Sequence, residues 1–466
     1  MTTETLNKDI TNRDWKTYEL ILFRIAFVFF TLISIPLSGK YYAMLFSINW
    51  LDLGYRDLTN LGRFSPNFLN IPTESGRWGI ASYADYGVLL LIAIVCAAIW
   101  SLLDTKRRNY SLLYYWLRVL VRYRVAIGMI EFGFVKVFLI QMPEAPLGTL
   151  HTNFGDITAQ KLYWLSVGVV PWYEIVLGLV EVLAGFLLFF RKTIVPGAFL
   201  TAAASANIVY INFAYDGGVH VYSSYFVILC IFLLIPYVPD YYRLLVKGET
   251  VVPIRFYPVF KTSLARFSRY ILKYGIMFLF LGVLAYLHVQ NRLHKPLIKE
   301  PITLGIPGTR GYYEVSSFSV NGRVIPYSPL DTLRWQDVTF EKFSTITFKV
   351  NKPVKLDLSN GVPAPKDIDR TWELTGISGG RLFYHYEADT VQRVIKLYNK
   401  HRSKKEGKSK KTTNPPEQKA DYTFHYEFSG NSVIVLKGQN KRGESLHIEL
   451  SRQEKQYALR NDTKFR

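Results

Sequence analysis

The sequence predicts a mainly α-helical membrane bundle of seven spans followed by an all-β extramembrane domain, and three observations carry that reading. Apolar runs long enough to cross a ~30 Å hydrocarbon core recur through the first ~290 of the 466 residues. None follows them; short alternating runs separated by turn residues take over. The composition, 49% hydrophobic, 15% aromatic and 20% charged, excludes a disordered or fibrous chain.

A net charge of +20 would point to nucleic acid in a soluble chain, but residues 1–296 hold 27 Lys/Arg against 17 Asp/Glu and the remainder 29 against 19. Basicity shared evenly between the halves fits membrane topology, so the expected partner is the lipid bilayer and not a nucleic acid. Cys96 and Cys230 both lie inside apolar runs, which excludes a disulfide framework, a CxxC redox pair and a Cys-ligated metal, and no metal site is expected.

The seven spans run roughly Tyr18 to Leu37, Tyr86 to Leu103, Leu117 to Ile140, Val169 to Phe190, Val195 to Tyr215, Tyr222 to Val238 and Leu272 to Val289. The first follows 17 polar residues and no small-residue cleavage site follows it, so it reads as an anchor and not a signal peptide. Alternate loops hold 18 Lys/Arg (among them Lys106, Arg107, Arg108, Arg122, Arg191 and seven from Arg243 to Lys273) against five (Lys40, Arg56, Arg63, Arg77, Lys161). Because Lys and Arg mark the cytoplasmic side, residues 1–17 are expected inside, 18–290 in the bacterial inner membrane and 297–466 outside the cytoplasm. Loop 38–84, with Trp50, Tyr55, Phe64, Pro66, Phe68, Pro72 and Trp78, has the composition of a cap on the membrane surface; segment 239–271, basic and aromatic, reads as a cytoplasmic surface segment.

Beyond Leu297, strands are expected at Tyr312 to Val320, Thr345 to Val350, Arg381 to Glu387, Tyr422 to Phe428, Ser432 to Lys437 and Ser445 to Leu450. Asn321-Gly322, Ser359-Asn360-Gly361 and Gly379-Gly380 supply hairpin-type turns, so 297–466 is expected to form a sandwich or barrel. Stretch 400–416 has nothing apolar to bury and reads as a basic mobile loop.

Ionisable groups inside spans cost at least ~2.5 kcal/mol each, which makes them functional candidates. Glu131 and Lys136 fall in the third span, Glu174 and Glu181 in the fourth, Asn207 and Asn212 in the fifth. Counting inward at 1.5 Å per residue puts Lys136, Glu174 and Asn212 at about 5 to 8 Å from the external end and Glu131, Glu181 and Asn207 deeper. Lys136 is therefore expected to pair with Glu174, and Glu131, Glu181 and Asn207 to cluster below. Gly128, Gly133, Gly178 and Gly185 permit close helix approach, and Asp216 and His220 stand at the external mouth.

Glu131-Phe-Gly-Phe-Val-Lys136-Val-Phe-Leu-Ile-Gln141-Met-Pro143-Glu-Ala-Pro146, Gly155-Asp156, Trp172-Tyr173-Glu174, Gly178-Leu-Val-Glu181, Arg191-Lys-Thr193, Gly197-Ala198, Asn207-Ile-Val, Asn212 and Tyr215-Asp216 together resemble the DoxX-like integral membrane family over residues 115–240. The resemblance implies a four-helix unit and kinship with a group that includes the small membrane subunit of a thiosulfate:quinone oxidoreductase. Three additional spans and the β domain make the layout closer to bacterial proteins resembling the membrane bundle of the vitamin K-dependent carboxylase.

Three function classes follow. In the first, the bundle admits a quinone or similar lipophile, Glu131, Lys136 and Glu181 exchange protons with it or bind its polar atoms, and Glu174, Gln141, Asn207, Asn212, Asp216 and His220 are the expected binding residues. No haem, flavin or iron–sulfur signature is present in the sequence, so a redox partner would supply electrons. In the second, the chain is a non-enzymatic accessory or scaffold that docks an envelope protein through its β domain. A carrier is the third option, disfavoured by the lack of an inverted repeat.

Overall fold

Apolar side chains facing outward along whole helices are the dominant feature of the first part of the chain. The computed structural model describes residues 14–69, 71, 80–252, 256–294, 296–401, 419–430 and 432–460. Pro72, Arg77, Trp78, Pro253 and most of 400–416 lie outside the described residues. Two compact units emerge, Met1–Phe138 with Ile175–His294, and Leu139–Glu174 with Lys295–Arg466.

The first unit contains α1 (Thr17–Ser34), α2 (Gly39–Ser47), α3 (Tyr55–Gly62), α4 (Ala84–Leu103) and α5 (Ser111–Val137). After the other unit's α6 (Leu147–Leu150) and α7 (Ala159–Gly168) come α8 (Pro171–Leu188), α9 (Ile194–Ala214), α10 (His220–Leu234), α11 (Val238–Leu245), α12 (Ser263–Met277) and, beyond a π-helical turn at Phe278–Val283, α13 (Leu284–Leu293). Six helical segments among the described residues are long and apolar enough to cross a membrane: Thr17–Ser34, Ala81–Leu103, Pro171–Leu188, Arg191–Ala214, His220–Leu245 and Ser263–Leu293. On α4, Leu102 and Leu103 are 79% and 81% exposed, an arrangement that only an apolar medium accommodates at low cost.

The expected third span is the exception to the count of seven. It exists as α5, 27 residues and about 40 Å long, but it carries Arg118, Arg122, Arg124, Glu131 and Lys136, too many charges to qualify by composition. Its charged side chains turn into the unit: Arg122, Arg124, Glu131 and Lys136 are all buried. Helices α5 and α8 run antiparallel at backbone contact. A Cβ on Gly133 would meet the Gly178 carbonyl oxygen at 2.6 Å, one on Gly178 the Gly133 carbonyl at 2.5 Å, and Gly185 lies against Ala126 and Ile130.

The second unit is a closed antiparallel barrel. Its strands are β1 (Gly311–Val320), β2 (Arg323–Val324), β3 (Asp337–Phe340), β4 (Thr345–Lys349), β5 (Arg381–Asp389), β6 (Val394–Asn399), β7 (Tyr422–Ser429), β8 (Val433–Asn440) and β9 (Ser445–Gln453). Each of β3 to β9 pairs with its sequence neighbour, β1 with β3, and β1 again with β9 from Tyr312↔Gln453 to Val320↔Leu446, which closes eight strands and leaves β2 as a short hairpin return. Closure resolves the sandwich-or-barrel alternative and removes exposed sheet edges. At the β1–β2 turn Asn321 and Gly322 take φ of 49° and 78°, as a type I′ hairpin requires. The core stacks Trp335 on Phe348 at 3.7 Å, with Phe318, Phe340, Phe424 and Tyr386 around them.

Segment 139–174 was expected within the membrane domain; it packs instead with the barrel. The amides of Leu147 and Gly148 donate to the Glu341 carboxylate at 3.0 and 2.8 Å, and Ile157 bridges to Ile377. Lys161 buries its ammonium 3.6 Å from the Trp372 ring centre and donates to the Trp372 carbonyl. Burial, and Lys299 nearby, push this lysine well below its ordinary pKa. Lys400, expected at the start of the solvated basic run, is fully buried and bonds Glu373 at 2.6 Å. A continuous charge run in sequence concealed a residue whose strand-end position turns it inward.

Candidate functional site

Helix α5 presents alternating faces of the helical unit with ionisable groups at 124, 131 and 136. Arg124 and Glu131 are seven residues apart, two helical turns, so they share a face; Lys136 is turned about 140° from Glu131. Each meets a different neighbour.

Lys136 Nζ donates to both carboxylate oxygens of Glu181, at 2.9 and 2.7 Å, and both side chains are at most 8% exposed. The expected Lys136–Glu174 pair is therefore corrected. Side chains on a helix lean toward its N-terminus, so the Lys136 ammonium reaches back about one turn, to the level of Gly133. There the antiparallel α8 offers 178–182, which brings Glu181 opposite. Glu174 lies at the other end of α8 and accepts the Met142 amide at 3.2 Å.

Glu131, fully buried, forms an ion pair with Arg63, the residue after α3. It does not cluster with Glu181 and Asn207 as expected: Glu181 is committed to Lys136, and Asn207 faces outward. The Phe132 ring stands between the two ion pairs, 5.0 Å from the Arg63 guanidinium and 6.0 Å from Lys136 Nζ. Glu131 Oε2 has no hydrogen-bond partner among the described residues. Arg124, 5% exposed, donates to the Phe64 carbonyl at 2.6 Å and the Tyr222 hydroxyl at 3.3 Å; its guanidinium lies 4.0 Å from the Phe64 ring centre and 5.1 Å from Tyr225. The group carries three cations and two carboxylates, a surplus of one positive charge in an aromatic setting.

The remaining expected residues are dispersed. Asn212 is buried, donating to the Ile208 carbonyl at 2.7 Å and accepting the Val219 amide at 3.3 Å, a structural task that shapes the α9–α10 turn. Asp216 is exposed with φ 50° in that turn, and His220 is buried with its ring 4.4 Å from Phe213. Gln141 belongs to the barrel unit, where its carbonyl accepts from Lys299 at 2.9 Å.

Sequence reasoning missed three partners. Arg63 looked like one of five loop cations, although its position just after Gly62 at the end of α3 was a usable signal. Arg24, inside the first span, is buried and bonds Tyr110, Ser101 and the Asp104 carbonyl; a charge inside an apolar run is the same sequence signal that marks Glu131. His288 stacks on Phe138 with ring centres 5.0 Å apart and is fully buried.

No family model matches the chain, and no solved structure matches it. Over 91 residues it is 31% identical to the uncharacterised protein YwoB of Bacillus subtilis (strain 168), an alignment that covers 18% of this chain and 59% of that protein. The chain thus spans less than two thirds of that relative's length. What fold and site define is a chain with six membrane-capable helices among the described residues, a buried charge network in the helical unit and an eight-stranded barrel.

Proposed function

We propose that this is a DoxX-like, multi-pass protein of the bacterial inner membrane whose helical unit holds the polar headgroup of a quinone-type lipophile beside Lys136, Glu181, Glu131 and Arg63. The carrying observation is the two ion pairs flanking Phe132, Lys136–Glu181 buried on both sides and Glu131 buried against a partly exposed Arg63, with one Glu131 oxygen left without a hydrogen-bond partner among the described residues. Ring carbonyls of a quinone accept hydrogen bonds from ammonium and guanidinium groups, the aromatic ring stacks on Phe132, and buried carboxylates relay the two protons that two-electron reduction requires. Electrons come from a partner, a redox protein of the envelope. The 18-to-5 loop asymmetry supports an N-terminus inside and residues 297–466 outside the cytoplasm.

The test is organic extraction of the full-length protein purified from its native membranes, with chromatographic assay for quinone. A near-stoichiometric quinone in the wild type that is lost in the charge-neutral Lys136→Met/Glu181→Gln double variant supports the reading. Absence from the wild type, or equal retention in the variant, overturns it. A reporter active only in the cytoplasm, fused after Arg466, should be silent.

One observation favours a second reading, an envelope scaffold. The β2–β3 loop of the barrel exposes Tyr327, Leu330 and Leu333 by 65%, 79% and 61%, a cluster suited to a protein partner. Photo-crosslinking from position 330 in cells should then yield one discrete adduct.

A further inference from the structure

The helical unit contains a second concentration of charge, about two to three helical turns from Glu131 along α5, and no acidic side chain lines it. A cavity of about 60 Å³ is lined by Arg122 of α5, Arg191 of the α8–α9 turn, and Arg269 and Lys273 of α12, with Tyr115 and Tyr123 among its walls. No acidic side chain lines it, and no ion pair joins any of these four cations to a carboxylate among the described residues. Arg122 is 7% exposed and its Nε has no hydrogen-bond partner there. Arg191 donates to the Tyr115 hydroxyl at 2.5 Å and lies 4.8 Å from the Tyr257 ring centre; Lys273 Nζ lies 4.1 Å from the Phe190 ring centre. Aromatic faces soften the mutual repulsion of four cations without cancelling it, and a buried guanidinium with an idle N–H is costly.

We infer that this cavity binds the phosphate of an anionic phospholipid headgroup. One tetrahedral oxyanion matches the volume, since a water occupies about 30 Å³. It would neutralise cations contributed by three separate segments. All three belong to the Lys/Arg-rich set that the loop count assigns to the cytoplasmic side, the leaflet where anionic lipids and basic juxtamembrane groups meet. A free phosphate shares the oxyanion chemistry. The lipid is favoured because exposed apolar residues flank the two cations around α12, Tyr270 by 53% and Leu272 by 64%, which offers acyl chains an apolar surface at the edge of the cavity.

The experiment titrates the full-length protein in neutral detergent with phosphatidylglycerol, phosphatidylcholine or inorganic phosphate and follows the thermal unfolding midpoint. Phosphatidylglycerol should raise the midpoint saturably, phosphatidylcholine and inorganic phosphate should not. Arg269→Gln and Lys273→Gln, both at partly exposed positions that leave the fold intact, should each weaken the response about fivefold, whereas Lys106→Gln/Arg107→Gln should leave it unchanged. Equal response to phosphatidylcholine, or an Arg269→Gln/Lys273→Gln double variant with the wild-type response, overturns the site. A response to inorganic phosphate matching that to the lipid assigns the cavity to a free anion and overturns the lipid.

Discussion

In the barrel unit the buried cations Lys400, Arg370 and Arg381 each meet a carboxylate within 3.1 Å (Glu373, Asp367 and Asp337), and Lys161 and Arg334 are met by backbone carbonyls. In the helical unit Lys136 and Arg63 are paired, but Arg122 and Arg124 have aromatic rings where the barrel would place acids. The barrel meets these buried cations with carboxylates or carbonyls; the helical unit leaves Arg122 with no acid beside it, in the part of the molecule with the most apolar exterior. Surplus of that kind is stabilised by an anion from outside the chain, which is why the phosphate site is proposed in the helical unit.

The sharpest test of this contrast removes one partner from a matched pair in each unit. Lys136→Met strands Glu181 and Lys400→Met strands Glu373, each at an expected cost of about 3 to 5 kcal/mol; the neutral doubles Lys136→Met/Glu181→Gln and Lys400→Met/Glu373→Gln should recover most of it. Thermal or denaturant unfolding of the full-length variants checks this. If Arg124→Gln, which strands no carboxylate, proves as costly as Lys136→Met, the distinction between matched and surplus charge fails.

Close helix contact sets the next scale. Gly178→Ala inserts a methyl against the Gly133 carbonyl at 2.5 Å and should cost about 1 to 3 kcal/mol by forcing α5 from α8. The same shift should loosen the Lys136–Glu181 pair, so Gly178→Ala and Lys136→Met should combine less than additively in a double-mutant cycle.

A smaller, pH-dependent effect belongs to the barrel unit. His151, stacked on Tyr312 at 3.8 Å, is pushed down to about 4 by burial and by Lys455 and Arg381; His401 is likewise lowered to about 4, chiefly by burial. Unfolded histidine titrates near 6.5, so between about pH 6.5 and 4 the unfolded chain takes up protons that the folded chain refuses. Their contribution is intact above about pH 6.5 and is lost as pH falls toward 4. Melting midpoints of the wild type and of His151→Gln/His401→Gln should therefore converge or cross on acidification, the variant losing less. The smallest effect is expected at the exposed Lys437–Glu427 pair, where Lys437→Ala should change stability by no more than about 1 kcal/mol.

Much of this was legible in the sequence. Apolar run length located the long helices but not the short ones such as Gly39–Ser47, Tyr55–Gly62 and Ala159–Gly168, and period-two alternation located six of the strands, because each signal is local. The missed strands, Arg323–Val324, Asp337–Phe340 and Val394–Asn399, are short and partly polar. Barrel closure depends on Val320 meeting Leu446, more than a hundred residues away, which no window detects. Among the site residues, burial of Glu131, Lys136 and Glu181 followed from charge in an apolar run. Their partners did not, since side-chain lean and antiparallel register decide between Glu174 and Glu181, and Arg63 comes from a loop.

Segment 139–174 has a consequence for synthesis. Lys161 needs Trp372 to enclose its ammonium, and the two are separated by 211 residues. At a translation rate of about 5 to 20 residues per second the lysine waits roughly 10 to 40 s for its enclosure, while the helices from 175 to 294 emerge between them. During that interval Leu147, Gly148 and Lys161 hold amides and an ammonium whose acceptors do not yet exist, so the segment has to remain hydrated. A chain terminated after His294 would make that condition permanent, and such a truncation should be recognised by quality-control proteases even though every apolar helix is present.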